Sequence, residues 1–105
     1  MNLNVYRTRK SAKLPHRSHS TDAGMDLFYC PSDGATTTVV HPGESVLLET
    51  GLKIAVPEGH MLQVMNKSGI AAKSQLIAGA CVVDSGYDGE IFVNLHNIGP
   101  KPQTL

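Results

Sequence analysis

The chain has 105 residues, 41% of them hydrophobic and 17% charged, with nine acidic against nine basic side chains. This describes one globular domain spanning residues 1–105, without net charge toward a polyanion and without the roughly 20 consecutive apolar residues that a membrane helix needs. A chain this small buries only about 60 to 70% of its unfolded surface, so a shared subunit interface is expected to support its core.

The opening stretch MNLNVYRTRKSAKLPHR lacks the apolar centre of a signal peptide, and a cytoplasmic location is expected. Arg7, Arg9, Lys10, Lys13 and Arg17 precede the first acid, Asp22. No aromatic residues interleave among them for base stacking, so the segment reads as solvated surface and not as a nucleic-acid arm. His16 and His19 lie close together in a loop without a nearby third ligand, which argues against a metal site there. Cys30 and Cys81 are far apart and show no C-x-x-C spacing. They read as buried small hydrophobes before they read as a disulfide.

Helical periodicity is nearly absent. Period-two alternation and β-branched clusters predict strands at 3–7, 25–30, 36–40, 45–56, 60–65, 75–83 and 90–96. Turn residues separate them at Pro31 to Gly34, Pro42-Gly43, Pro57 to Gly59, Ser85 to Gly89 and Gly99-Pro100. Many short strands at this spacing predict an all-β sandwich or barrel.

The segment NKSGIAAK, residues 66–73, breaks the strand pattern and predicts one short helix, with Ser68 capping its start and Lys73 at its end. Free N–H groups at such a start attract anions, and Lys67 and Lys73 bracket it. The same features also describe a capped connector with solvated lysines.

Two carboxylate segments stand out. Asp22 and Asp26 flank DAGMDL; if Leu27 faces inward, Asp26 lies on the opposite face. There it either caps a turn or helps to hold a hard cation such as Mg2+, which keeps several waters and takes one or two carboxylates. Asp84 closes the apolar run CVVD and is predicted to emerge into whatever cleft the turn DSGYDG creates, the setting a general base needs. Tyr87 in that turn either covers the barrel or packs its ring against a sugar.

In this order the segments resemble the trimeric deoxyuridine triphosphatase (dUTPase) family. The motif D-A-G-x-D-L stands here as Asp22 to Leu27. R-S-G-[LI]-A-x-K stands as Lys67 to Lys73, and G-x-I-D-x-D-Y-x-G as Cys81 to Gly89, with VNLHN following. The resemblance runs from about Leu14 to Asn97 and implies a distorted jelly-roll β-barrel assembled as a homotrimer with active sites shared between chains. The implied reaction is Mg2+-dependent hydrolysis of dUTP to dUMP and pyrophosphate. By position, Asp84 would activate the water and Tyr87 would stack on the deoxyribose, leaving no room for a 2′-hydroxyl. Lys67, Ser68 and Gly69 would hold the phosphates, and Asp26 would act on the metal through water. Main chain near Cys81, Val83 and Phe92, on the strands of the hairpin flanking the turn, would read the uracil.

The chain departs from the family pattern at several places. Lys67 replaces an arginine, Cys81 a glycine and Gly86 a second aspartate. The sequence ends at Leu105, before the family's fourth motif and glycine-rich arm, which is expected of a fragment truncated at its C-terminus. The sister dCTP deaminase family shares the barrel and an aspartate-glycine-aromatic-glycine turn. It needs a glutamate where this chain has Asn94, and an amide does not shuttle protons in the useful range. A protein that binds dUTP without turning it over is the remaining alternative.

Overall fold

The computed structural model describes residues 2–34 and 37–105. Nine short strands are found among them: β1 (Asn4–Arg7), β2 (Val39–Val40), β3 (Ser45–Glu49), β4 (Leu52–Ala55), β5 (Met61–Gln63), β6 (Leu76–Ala78), β7 (Val82–Asp84), β8 (Phe92–Asn97) and β9 (Gln103–Thr104). All pairings are antiparallel: β1 with β4, β2 with β9, β5 with β7, and β8 between β3 and β6. Sequence neighbours rarely pair, and the result is the jelly-roll-like barrel expected. No helix among the described residues is long and apolar enough to cross a membrane.

The core follows from the alternation in β4. Leu52 and Ile54 point inward and are buried, while Ala55 is exposed. Leu52 joins Ala12 and Cys30 in one cluster, and Ile54 joins Val56 and Ile91 in another; Val5 and Leu27 pack against both. Two polar side chains lie inside, each with its partners. Thr50 Oγ1 donates to the Ile91 carbonyl at 2.6 Å and accepts from the Leu52 N–H at 3.3 Å. Asn97 Nδ2 donates to the carbonyls of Val40 and Lys101, both at 2.8 Å, and its Oδ1 accepts from the Gly99 N–H. Satisfied in this way, buried polar groups tie loops to strands without an orphaned donor.

Several expected elements differ. The 25–30 run is not a continuous strand. Asp26 forms an isolated bridge with His16, and the Cys30 N–H reaches the Glu49 carbonyl at 2.7 Å. Its two ends are held by different partners, so no ladder develops. The 45–56 run breaks at Gly51, whose φ of 69° turns the chain between β3 and β4. Thr36, at the start of the 36–40 strand, lies outside the described residues. β9 was not predicted: it is two residues of polar sequence that become a strand only by pairing with β2.

Cys30 is buried and Cys81 only half-buried, and both are free thiols. The helix is present as a wide single turn, Ile70–Ser74, closed by Gln75 in the left-handed region. Gly69, not Ser68, occupies its first flanking position, and no side chain caps it. Glycine there has no side-chain oxygen to offer, and Ser68 lies one residue too early.

Candidate functional site

The run Leu76–Asp84 positions the site by changing partners midway. β6 lies along β8, and the Gly79 N–H still reaches the Asn94 carbonyl at 2.8 Å. The Asn94 side chain then takes over from the ladder. Its Oδ1 accepts from the Ala80 N–H at 3.1 Å and faces His96 Nε2 at 3.0 Å, while its Nδ2 donates to the Val46 carbonyl. From Cys81 onward the chain swings to β5: the Val64 N–H donates to the Cys81 carbonyl, and Val82–Asp84 pair with Gln63–Met61.

The expected hairpin of β7 with β8 is therefore absent. No strand pairs with the outer edge of β7, and β8 at Phe92 and Val93 is paired only with β3. Alternate N–H and C=O groups on the facing edges are left without a ladder partner. This is a slot suited to a planar ligand with donors and acceptors on its rim.

Alternation along β7 sorts its side chains. Val83 is half-buried and packs against Ile54, Val56 and Ile91, so only its main chain faces the slot. Val82 and Asp84 point outward and are exposed. The turn after Asp84 is closed by a bond of 3.1 Å from the Tyr87 N–H to the Asp84 carbonyl. Tyr87 is 45% exposed, and its hydroxyl donates to the Glu90 carbonyl at 2.6 Å. Phe92, across the slot, is 40% exposed. On the far side of the turn lies an open cavity of about 580 Å³, lined by Tyr6, Lys53, Ala55, Gly86, Tyr87 and Asp88 among others. Lys53 pairs there with Asp88 at 2.7 Å.

The second group forms around the 66–69 loop. Lys67, Ser68 and Gly69 are all exposed. Lys67 Nζ lies 3.2 Å from Asp26 Oδ1, and Ser18 Oγ donates to Asp26 Oδ2 at 3.2 Å. The hydrogen bond and charge of Lys67 hold the Asp26 carboxyl below its usual range, against a smaller opposing effect of burial. Asp26 and the anion loop therefore belong to one constellation within a chain.

Asp84 does not belong to it. Asp84 stands opposite Met61 at one end of the β5–β7 ribbon. At about 3.3 Å per residue, the Val64–Cys81 level is some 10 Å away. The chain then runs on in the same direction through Asn66, whose Oδ1 accepts from the Ala78 N–H, to Lys67. The acid and the anion loop thus sit at opposite ends of one ribbon.

Among the described residues no group of three His, Cys, Asp or Glu is arranged to hold a metal. Asp26 is a lone, 31% exposed carboxylate. That fits an ion held mainly by a phosphate ligand and touched through water, and does not fit a protein cage.

Sequence reasoning missed the Arg9–Glu90 ion pair at the base of the turn. Arg9 Nη1 lies 2.9 Å from Glu90 Oε1 and Nη2 lies 3.2 Å from Oε2. Arg9 looks like one of five scattered N-terminal cations, and nothing local in sequence marks the one that folds back over 81 positions.

A model of the dUTPase family matches residues 10–104. The deoxyuridine 5′-triphosphate nucleotidohydrolases of Alkaliphilus metalliredigens and Clostridium tetani are 39% and 36% identical to the chain, over 95% and 94% of it. The Mycolicibacterium vanbaalenii enzyme of the same name is 37% identical over 93%. The matches cover 67%, 66% and 62% of those proteins, so the chain spans about two thirds of their length. Among solved structures, an aspartate-to-asparagine mutant of the dUTPase from S. aureus phage phi11, described with a structural Mg(II) ion, gives a TM-score of 0.82. It is 32% identical over 93% of this chain and 61% of that one. A Staphylococcus bacteriophage 80alpha dUTPase mutant with dUpNHpp also gives 0.82, at 31% identity over 94% of this chain and 61% of that one.

Proposed function

Because the chain belongs to the dUTPase family, we propose that it hydrolyses dUTP to dUMP and pyrophosphate. In this reading the uracil enters the slot between β7 and β8, where unpaired main-chain groups meet its donor and acceptor edge. Tyr87 stacks on the deoxyribose. Asp84 accepts a proton as a water oxygen bonds to the α-phosphorus, and the bond from that phosphorus to the bridging oxygen breaks to release pyrophosphate. Such proton transfer is worth about 10² to 10⁴ in rate. Lys67 and the backbone around Ser68 and Gly69 hold the triphosphate and offset its charge. Mg2+ on the phosphates, its waters ordered by Asp26, would neutralise charge developing in the transition state.

The observation that carries this reading is the partner change of the 76–84 run, which leaves an open slot with Asp84 and Tyr87 at its mouth. The separation of Asp84 from the anion loop supports a second element of it: a complete site draws its acid from one copy and its phosphate loop from another, and we propose a homotrimer with shared sites. Asn94 supports hydrolysis over deamination. Its amide is engaged at both ends as a structural tie, at the position where the deaminase reading needs a titrating acid.

The test is Mg2+-dependent pyrophosphate release from dUTP and dCTP, alongside calorimetric binding of both. Release from dUTP alone is expected, and light scattering should report a trimer. Conversion of dCTP to a uracil product would overturn the assignment. Tight dUTP binding without any release would leave a nucleotide-binding relative.

A further inference from the structure

The turn that carries Tyr87 is anchored unequally. Its descending limb is bolted to the core. The Glu90 carboxylate takes both arms of the Arg9 guanidinium at 2.9 and 3.2 Å, together with the Gly51 N–H at 3.2 Å and Thr8 Oγ1 at 3.4 Å. The next residue, Ile91, is 1% exposed; its N–H reaches the Leu52 carbonyl and its carbonyl accepts from Thr50. The ascending limb is exposed and is held by the Lys53–Asp88 pair, whose aspartate is 90% exposed.

Tyr87 is tied to the bolted limb. Its hydroxyl donates to the Glu90 carbonyl, and its ring lies flat over Gly89, where an added Cβ would come within 2.6 Å of the hydroxyl oxygen and 2.7 Å of Cζ. The ring's angle is therefore referred, through one residue, to a forked ion pair on the N-terminal segment.

We propose that the Arg9–Glu90 pair is a positioning element for Tyr87 and through it tunes the preference for deoxyribose over ribose. This rests on the proposed stacking of Tyr87 against the sugar. A ring fixed in angle excludes a 2′-hydroxyl by contact; a ring free to tilt by a few tenths of an ångström admits it. Arginine's planar fork is what makes the reference rigid, since a lysine there would keep the charge and lose the two-point grip.

The experiment measures dUMP and UMP affinity by calorimetry in the native chain and in Glu90→Gln, Arg9→Lys, Tyr87→Phe and the Glu90→Gln/Tyr87→Phe double variant. Each single change is expected to lower the dUMP-to-UMP affinity ratio by about three- to tenfold, the scale of one hydrogen bond. The double variant should lose no more than the larger single loss, because both act through one tether. A merely structural role for the pair would weaken both nucleotides equally and leave the ratio unchanged, which would overturn the proposal; so would single losses that add. If Glu90→Gln does not fold, Arg9→Lys and the exposed Tyr87→Phe decide the matter. Failure of the native chain to bind either nucleotide would remove the stacking reading itself, and the positioning role with it.

Discussion

Lys67 Nζ lies 3.2 Å from Asp26 Oδ1, so the loop proposed to hold phosphates and the carboxylate proposed to touch the metal meet within one chain. Lys67 is the main cause of the depressed Asp26 pKa, ahead of Ser18 and His16. Replacing it, as in Lys67→Met, should raise the Asp26 pKa toward the ordinary carboxylate range, readable as the midpoint of a carboxyl-carbon NMR titration. The linked stability has a defined sign. A lowered folded-state pKa contributes above the unfolded value and is lost as pH falls through the folded one. The stability difference between native and variant chains should therefore vanish on the acid side. Both side chains are substantially exposed, so that difference should be small throughout.

Asp84 is exposed and makes its ladder contacts through the main chain. Asp84→Asn should therefore fold normally and bind dUTP within a few-fold of the native chain. Turnover should fall by about 10² to 10⁴, the worth of a general base. Steady-state rates and calorimetric affinities on the same preparation separate the two effects, and surviving turnover would show that another group takes the proton.

Most of the barrel was legible because strands announce themselves by alternation: β4 and β8 fall within predicted runs. What escaped notice was decided by partners distant in sequence. Nothing in QLIAGACVV says that the chain will leave β8 for β5 at Cys81, because that switch depends on the Asn94 side chain capturing the Ala80 N–H. The strand character expected of MDLFYC failed for the same reason, with Asp26 and Cys30 claimed by different neighbours. At the site, Asp84, Tyr87 and the Lys67 loop are marked by local turn and charge chemistry. Arg9 and Glu90 are ordinary charged residues until the fold brings them together.

Gly51 offers a test of the packing between the two core clusters. Its φ is 69°, and a Cβ there would lie 2.7 Å from Ala12 Cβ and 3.3 Å from Cys30 Sγ. Gly59 has a similar φ of 80° but open space around it. Gly59→Ala should cost only the backbone term, about 1 kcal/mol. Gly51→Ala should cost that plus overpacking of roughly 1 to 3 kcal/mol. Urea midpoints for the pair measure the difference directly, and equal losses would mean that the Ala12 segment yields freely.

The sharpest expectation concerns sites built from two copies. Within one chain the β5–β7 ribbon holds Asp84 at one end and leads to Lys67 and Ser68 beyond the other. A chain carrying Asp84→Asn would still lend its anion loop to a neighbour, and a chain carrying Lys67→Met and Ser68→Ala would still lend its aspartate. Each variant alone should be nearly inactive. When the two are denatured together in equal amounts and refolded, random assembly gives roughly a quarter of the sites one intact acid and one intact loop. DUTP hydrolysis should return to about that fraction of the native rate, and mixing without refolding should restore less. If refolded mixtures stay as inactive as their components, acid and loop must come from the same chain, and the ribbon would have to bend far from the form it takes here.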